Sequence, residues 1–208
     1  EKKVVSAIRY WREKERQGRL SYPRIDLFFF HYTILRSQHE TLATHVFQAF
    51  KEWWQKEPRD LNVELGRIVK ASDIFRELVS PEGTTYIAEF GRLIKTLDVS
   101  SITPVYIALR ERLGTDSDSL RQALGDLASY LTRRAVCGFT TKGYNRVFMR
   151  LLEVVTSAQE KPEEALREAL LKLGGNSQAW PNDEEFSEHW SSRAVYKELR
   201  PAKVCAVL

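Results

Sequence analysis

An all-α fold, an irregular multi-helix bundle of roughly nine to eleven helices, is what this sequence predicts, and three observations lead there. Apolar residues recur at the 3.6-residue spacing along nearly the whole chain. Caps and breakers punctuate that pattern at intervals that suit short helices joined by short loops. No run alternates apolar and polar residues between hairpin turns, so no strand is expected.

The elements follow in order. Residues 25–35 include Phe28, Phe29, Phe30 and Tyr32, which favour strands, yet Phe28, Tyr32 and Leu35 fit one helical face and helix is preferred. Val46, Phe47, Phe50, Trp53 and Trp54 recur at helical spacing and give a thick aromatic face, read as core packing or as contact with a neighbouring domain. Leu65, Ile68, Val69, Phe75 and Val79 form the next apolar face, and Tyr86, Phe90, Ile94 and Leu97 another. Thr103 followed by Pro104 is a cap with proline at the first helical position. Val105, Leu109 and Leu113 follow before Gly114 stops that helix. Ser119 and Gln122 have capping-box spacing ahead of the stripe Leu120, Leu124, Leu127 and Leu131. Val147, Phe148, Leu151, Leu152 and Val155 make a further stripe. Pro162 opens an acidic-first helix through Ala165, Leu166, Leu170 and Leu171, which Gly174-Gly175 ends. Asn182 and Glu185 have cap-like spacing, with Trp180 anchoring the helix entrance and Phe186 and Trp190 on its buried face.

At 208 residues the chain suffices for one large helical domain, with sub-lobes over 1–56 and 61–208 as a subdivision. A hydrophobic fraction of 43% with 29% charged residues excludes a disordered chain. The net charge of +4 permits a local nucleic-acid-binding patch without requiring one. Cys137 and Cys205 lie far apart with no CxxC spacing, which suits reduced thiols in the cytoplasm. The apolar run Leu27-Phe28-Phe29-Phe30 falls far short of the ~20 residues of a membrane span, and no secretory leader is visible, so no membrane partner is expected. The chain begins at Glu1 and stops at Leu208 inside helical patterns, and it reads as a piece of a longer polypeptide.

Chemistry-bearing motifs are sparse. The histidines are His31, His39, His45 and His189, and no two sit at i,i+4 as a helical zinc site needs. Cys137, after Ala135-Val136 near a helix end, suits a buried structural thiol. Asp183-Glu184-Glu185 suits the start of a helix. Neither Gly174-Gly175 nor the run from Gly138 to Lys142 has a phosphate-loop pattern, and GxSxG is absent. No metal, no cofactor and no catalytic residue is expected.

Residues 127–152 stand out. Arg133 and Arg134 fall in the last turn of one helix, Gly138 is its C-cap, and Thr140 or Thr141 caps the next. Lys142, Arg146 and Arg150 then recur at i,i+4,i+8, opposite the apolar stripe. The five cations are either helix-end charges on a solvated face or a surface for the DNA backbone in a helix-turn-helix-like layout. An independent helix-turn-helix reader would further need Tyr144, Asn145 and Arg146 exposed. Burial of Arg133 or Arg134 against carboxylates such as Asp126 or Glu153 would instead make the joint a structural clamp.

The block Arg133-Arg134-Ala-Val-Cys-Gly138, continued by Thr141-Lys-Gly-Tyr-Asn-Arg-Val-Phe148, resembles one found in GmrSD-type restriction proteins. Trp180-Pro-Asn-Asp-Glu-Glu-Phe186, with Arg193 and Tyr196 after it, resembles the segment that follows that block. The resemblance covers about residues 120–208. In that family an N-terminal ParB/sulfiredoxin-like domain is associated with nucleotide hydrolysis and a C-terminal His-Asn-His nuclease domain cuts DNA, with a helical region between them. The resemblance therefore implies the helical middle of an anti-phage defence protein, with DNA and the flanking sensor and nuclease domains as partners, and it transfers no catalytic residue to this chain. The expected function is a helical spacer and coupling domain that guides DNA through Arg133, Arg134, Lys142, Arg146 and Arg150. The rival is a protein-interaction scaffold that docks a partner through Phe47, Phe50, Trp53 and Trp54.

Overall fold

The computed structural model describes residues 8–18, 20–175, 177–194, 197, 199 and 201–207. A helical segment over residues 8–12 leads into a hairpin of β1 (Lys14–Gln17) and β2 (Leu20–Pro23). Ten α-helices follow among the described residues: α1 (Arg24–Ser37), α2 (Val46–Gln55), α3 (Leu61–Val79), α4 (Tyr86–Leu97), α5 (Thr103–Leu113), α6 (Asp118–Val136), α7 (Tyr144–Ser157), α8 (Pro162–Leu171), α9 (Asp183–Ser192) and α10 (Pro201–Val207). The architecture is the all-α bundle that the periodicity predicts.

The axis of the bundle is α5. Thr103 through Arg110 are all buried, so this helix is enclosed on every side rather than on the one stripe its leucines suggested. Helices α1, α3, α6 and α7 pack around it. Arg110, buried among them, donates to Glu77 Oε2 at 2.8 Å and to the Gly114 carbonyl, which closes the end of α5. One hydrophobic core runs from Leu27 to Leu173 and includes Trp53, so it is continuous across residues 56–61.

Several expectations hold in detail. Residues 25–35 are helical within α1. The stripes of α6 and α7 are buried as read. Asn182 and Glu185 form the capping box, with Asn182 Oδ1 accepting from Glu185 N at 2.8 Å and Glu185 Oε2 from Asn182 N at 3.0 Å.

Others are corrected. The β1–β2 hairpin departs from the expectation of no strand: its strands are only four residues long, and β1 is Lys-Glu-Arg-Gln, with no alternation to detect. Gly18 turns it at φ +60°, and Gly18 N donates to Asp98 Oδ1 at 2.8 Å, which pins the hairpin to the end of α4. The cap of α6 is Ser117, whose Oγ accepts from Leu120 N at 3.1 Å, while Ser119 donates to Glu163 instead. Leu65 and Val69 lie exposed with Leu61, about a quarter-turn from the buried line Glu64, Ala71, Phe75 and Leu78. Leu171 and Trp190 are also exposed, and α9 buries no residue completely.

Candidate nucleic-acid interface

The α6–α7 joint is built by a helix stop. Helix α6 ends at Val136, and Gly138 takes the left-handed φ of +70°. Phe139 N donates to the Arg134 carbonyl at 2.9 Å and Gly138 N to that of Ala135 at 3.2 Å, the two bonds of a Schellman turn. Glycine is favoured there on two counts. The dihedral is disfavoured for side-chain-bearing residues, and a Cβ would overlap the Arg193 guanidinium packed against it. Arg193 in turn donates to the Val136 carbonyl at 2.6 Å, satisfying an end carbonyl of α6.

Helix α7 begins at Tyr144, with Gly143 as N-cap and no side-chain cap. The expected caps lie further upstream. Thr140 Oγ1 accepts from Lys142 N at 3.3 Å, and the Thr141 carbonyl accepts from Tyr144 N at 3.1 Å. Lys142 therefore sits on the turn, and only Arg146 and Arg150 share the helix face.

The five cations separate into two sets. Arg134 is fully buried. Its Nη1 donates to the Ala179 carbonyl at 2.7 Å, and its Nη2 to the carbonyls of Thr140 at 2.7 Å and Ser177 at 2.9 Å. The rings of Tyr130, Phe139 and Tyr144 surround the guanidinium at 5.3–5.5 Å. Burial raises the phenol pKa of both tyrosines above its ordinary value, so both rings stay neutral beside the cation. Arg134 is a clamp tying α6 to the 177–179 segment, and no phosphate can reach it. Its partners are carbonyl dipoles rather than Asp126, which pairs with Arg167 at 2.6 Å. Arg133 is half-buried and committed as well: it donates to the Pro181 carbonyl at 3.2 Å, pairs with Asp183 and lies over Phe186.

Lys142, Arg146 and Arg150 differ. All three are exposed, and no ion pair or side-chain hydrogen bond holds any of them among the described residues. They leave three uncompensated charges on one edge of the bundle, and this edge is the candidate interface.

Tyr144 is buried, so only Asn145 and Arg146 of the base-reading trio face solvent. That geometry removes the independent helix-turn-helix reader. The carbonyl cradle around Arg134 was invisible to sequence reasoning, because backbone carbonyls have no residue signature. Tyr196, part of the sequence resemblance, lies outside the described residues.

The aromatic face of α2 is mostly internal. Trp53 is buried and Phe50 and Trp54 pack against the core, while Phe47 projects with 80% exposure. Cys137 is buried, with its thiol pKa raised by that burial, and Cys205 is exposed; both are free. No helix is long and apolar enough to cross a membrane among the described residues. Comparison with known protein families, with curated proteins and with solved structures gave no match.

Proposed function

We propose that this chain is a non-catalytic helical spacer and coupling module that contacts the DNA backbone through Lys142, Arg146 and Arg150. The observation that carries the reading is the contrast within the joint: two arginines are consumed by the fold, and three cations next to them have no ion pair or side-chain hydrogen bond among the described residues. Exposed side-chain charges held on a helix and its leading turn suit phosphate oxygens, which fix position without reading sequence. The local resemblance to GmrSD-type restriction proteins supports placing the module between sensor and nuclease domains of a defence protein.

Binding of a fluorescent duplex across a salt series tests it. Three phosphate contacts give a log–log slope of about −2.7. A flat isotherm at low salt would sink the DNA role and leave the coupling role.

A second reading has its own observation. Leu61, Leu65 and Val69 recur at i,i+4,i+8 on the exposed side of α3, with Val63 exposed nearby in the same helix. This stripe, rather than the α2 aromatic face, is the surface that suits a partner domain. Salt-insensitive self-association that Leu65→Glu abolishes would favour this scaffold reading over the DNA one.

A further inference from the structure

A cleft of about 870 Å³, a volume typical of small-ligand sites, opens between the end of α1, helix α2 and the start of α3. It shares no lining residue with the trio Lys142, Arg146 and Arg150.

One wall is a stacked pair. The Arg59 guanidinium lies over the Trp53 ring at 4.1 Å, and its Nη2 donates to the Trp53 carbonyl at 3.3 Å. Stacking fixes the plane of the guanidinium, and its side chain is only 14% exposed. No carboxylate bonds to it. Glu57 Oε2 stands 3.9 Å from Nη2 and Glu64 Oε1 stands 4.0 Å from Nη1, both beyond hydrogen-bond reach. Nε is buried without an acceptor. Among the lining residues, the buried side-chain atoms that lack a partner are Arg36 Nε and Arg59 Nε, and both are donors on cations.

The lining charges are mixed, but their commitments are not. Arg36, Lys56, Arg59 and Arg67 face Glu40, Glu52 and Glu57. Arg36 is spent on Glu111, which takes both of its terminal nitrogens, and Glu52 accepts from Gln48 Nε2 at 2.7 Å. Glu40 and Glu57 are exposed, so water solvates both. Lys56 is exposed and has no ion pair or side-chain hydrogen bond among the described residues. Arg67 gives Nη1 to Glu64 at 2.6 Å, and its other nitrogens donate to no described residue. Three cations therefore keep unfilled donors, and one of them is locked in place and largely out of water. A multiply charged oxyanion answers that arrangement, because its oxygens accept from several donors at once.

We propose that this cleft binds the phosphate group of a small ligand, with Arg59 as the anchor and Lys56 and Arg67 as further donors. The site goes beyond the DNA-backbone reading and does not depend on it. Because Arg59 is mostly shielded from solvent, salt weakens this site less than it weakens contacts on the open cation edge.

The Arg59 Nε–H group is the probe. In ¹⁵N-labelled protein the arginine Nε–H resonances are followed while inorganic phosphate, glycerol phosphate or acetate replaces chloride at constant ionic strength. Arg59→Lys identifies the resonance by its absence, and it keeps the charge while losing the planar fork. The expected result is a saturable shift with both phosphate probes, the tighter of them telling an ester from the free ion. Acetate binds at least several-fold more weakly. Arg59→Lys lowers phosphate affinity by about tenfold, as loss of a charge-assisted hydrogen bond does. Lys56→Gln, an exposed change that leaves the fold intact, lowers it several-fold, and Arg146→Glu with Arg150→Glu leaves it unchanged. An Arg59 resonance that stays put, or drifts without saturating, would overturn the proposal. Acetate binding as tightly as phosphate would overturn the phosphate assignment. Phosphate affinity lost in the Arg146→Glu, Arg150→Glu variant would move the anion to the cation edge and remove this site.

Discussion

The two sides of the α6–α7 joint carry the same charge and put it to opposite uses. On the α6 side, Arg134 is sealed among three carbonyls and three aromatic rings, and Arg133 is held by Pro181 and Asp183. On the α7 side, Lys142, Arg146 and Arg150 are exposed and have no side-chain partner among the described residues. What separates them is register. Arg134 falls three residues after the buried Leu131, on the face that α6 turns inward. Arg146 and Arg150 fall beside Val147 and Leu151, outside the buried stripe. Charge type alone says nothing about role; the position of the charge on the helix decides it.

Breaking the α6 side should have the largest effect on stability. Arg134→Met leaves the carbonyls of Thr140, Ser177 and Ala179 without their donor, and a loss of about 3 kcal/mol or more is expected. Thermal unfolding would then fall by roughly 10 °C for a chain of this size. Gly138→Ala comes next, at about 2 kcal/mol, because it combines a left-handed φ with overlap on Arg193. Urea midpoints measure it, and a neutral result would mean that the Schellman turn and the Arg193 contact are not required.

A third perturbation sharpens the contrast between two buried nitrogen bases. Arg134 is buried with three carbonyls accepting from its guanidinium. His31 bonds to Gln17 and lies against the rings of Phe30 and Phe75, and burial pushes its pKa down to about 3 from 6.5. Between those values the unfolded chain binds a proton that the folded one refuses. Stability is therefore fully present above pH 6.5 and is lost as pH falls, by up to about 1.4 kcal/mol per pH unit from this group. Unfolding free energies at pH 7 and pH 5, in the wild type and in His31→Gln, check it. The variant should show the shallower dependence, and equal slopes would contradict the assignment.

How much of this was legible beforehand depends on which interaction did the placing. Stripes such as Val147, Phe148, Leu151 and Leu152 are written as periodicity, and so is the capping box Asn182–Glu185. For helix α5 the spacing of Val105, Leu109 and Leu113 reveals one face, whereas its burial on every side comes from where the chain returns. The β1–β2 hairpin is set by tertiary contacts, Gly18 N on Asp98 among them, and its strands are too short to be read alone. The five cations were legible as a cluster but not as two sets. Arg134 finds its partners 43 and 45 residues away, in carbonyls that any residue supplies.

The smallest expected effect on stability belongs to the double reversal Arg146→Glu with Arg150→Glu, which should stay within about 0.5 kcal/mol of the wild type. The same variant gives the most direct test, because duplex affinity and unfolding free energy can be measured on one sample at low salt. A free cation edge predicts unchanged unfolding with at least tenfold weaker binding and a shallower salt dependence. Wild-type affinity in the reversed protein, or unfolding loss comparable to that of Arg134→Met, would contradict the division of the joint into a clamp and a DNA-facing edge.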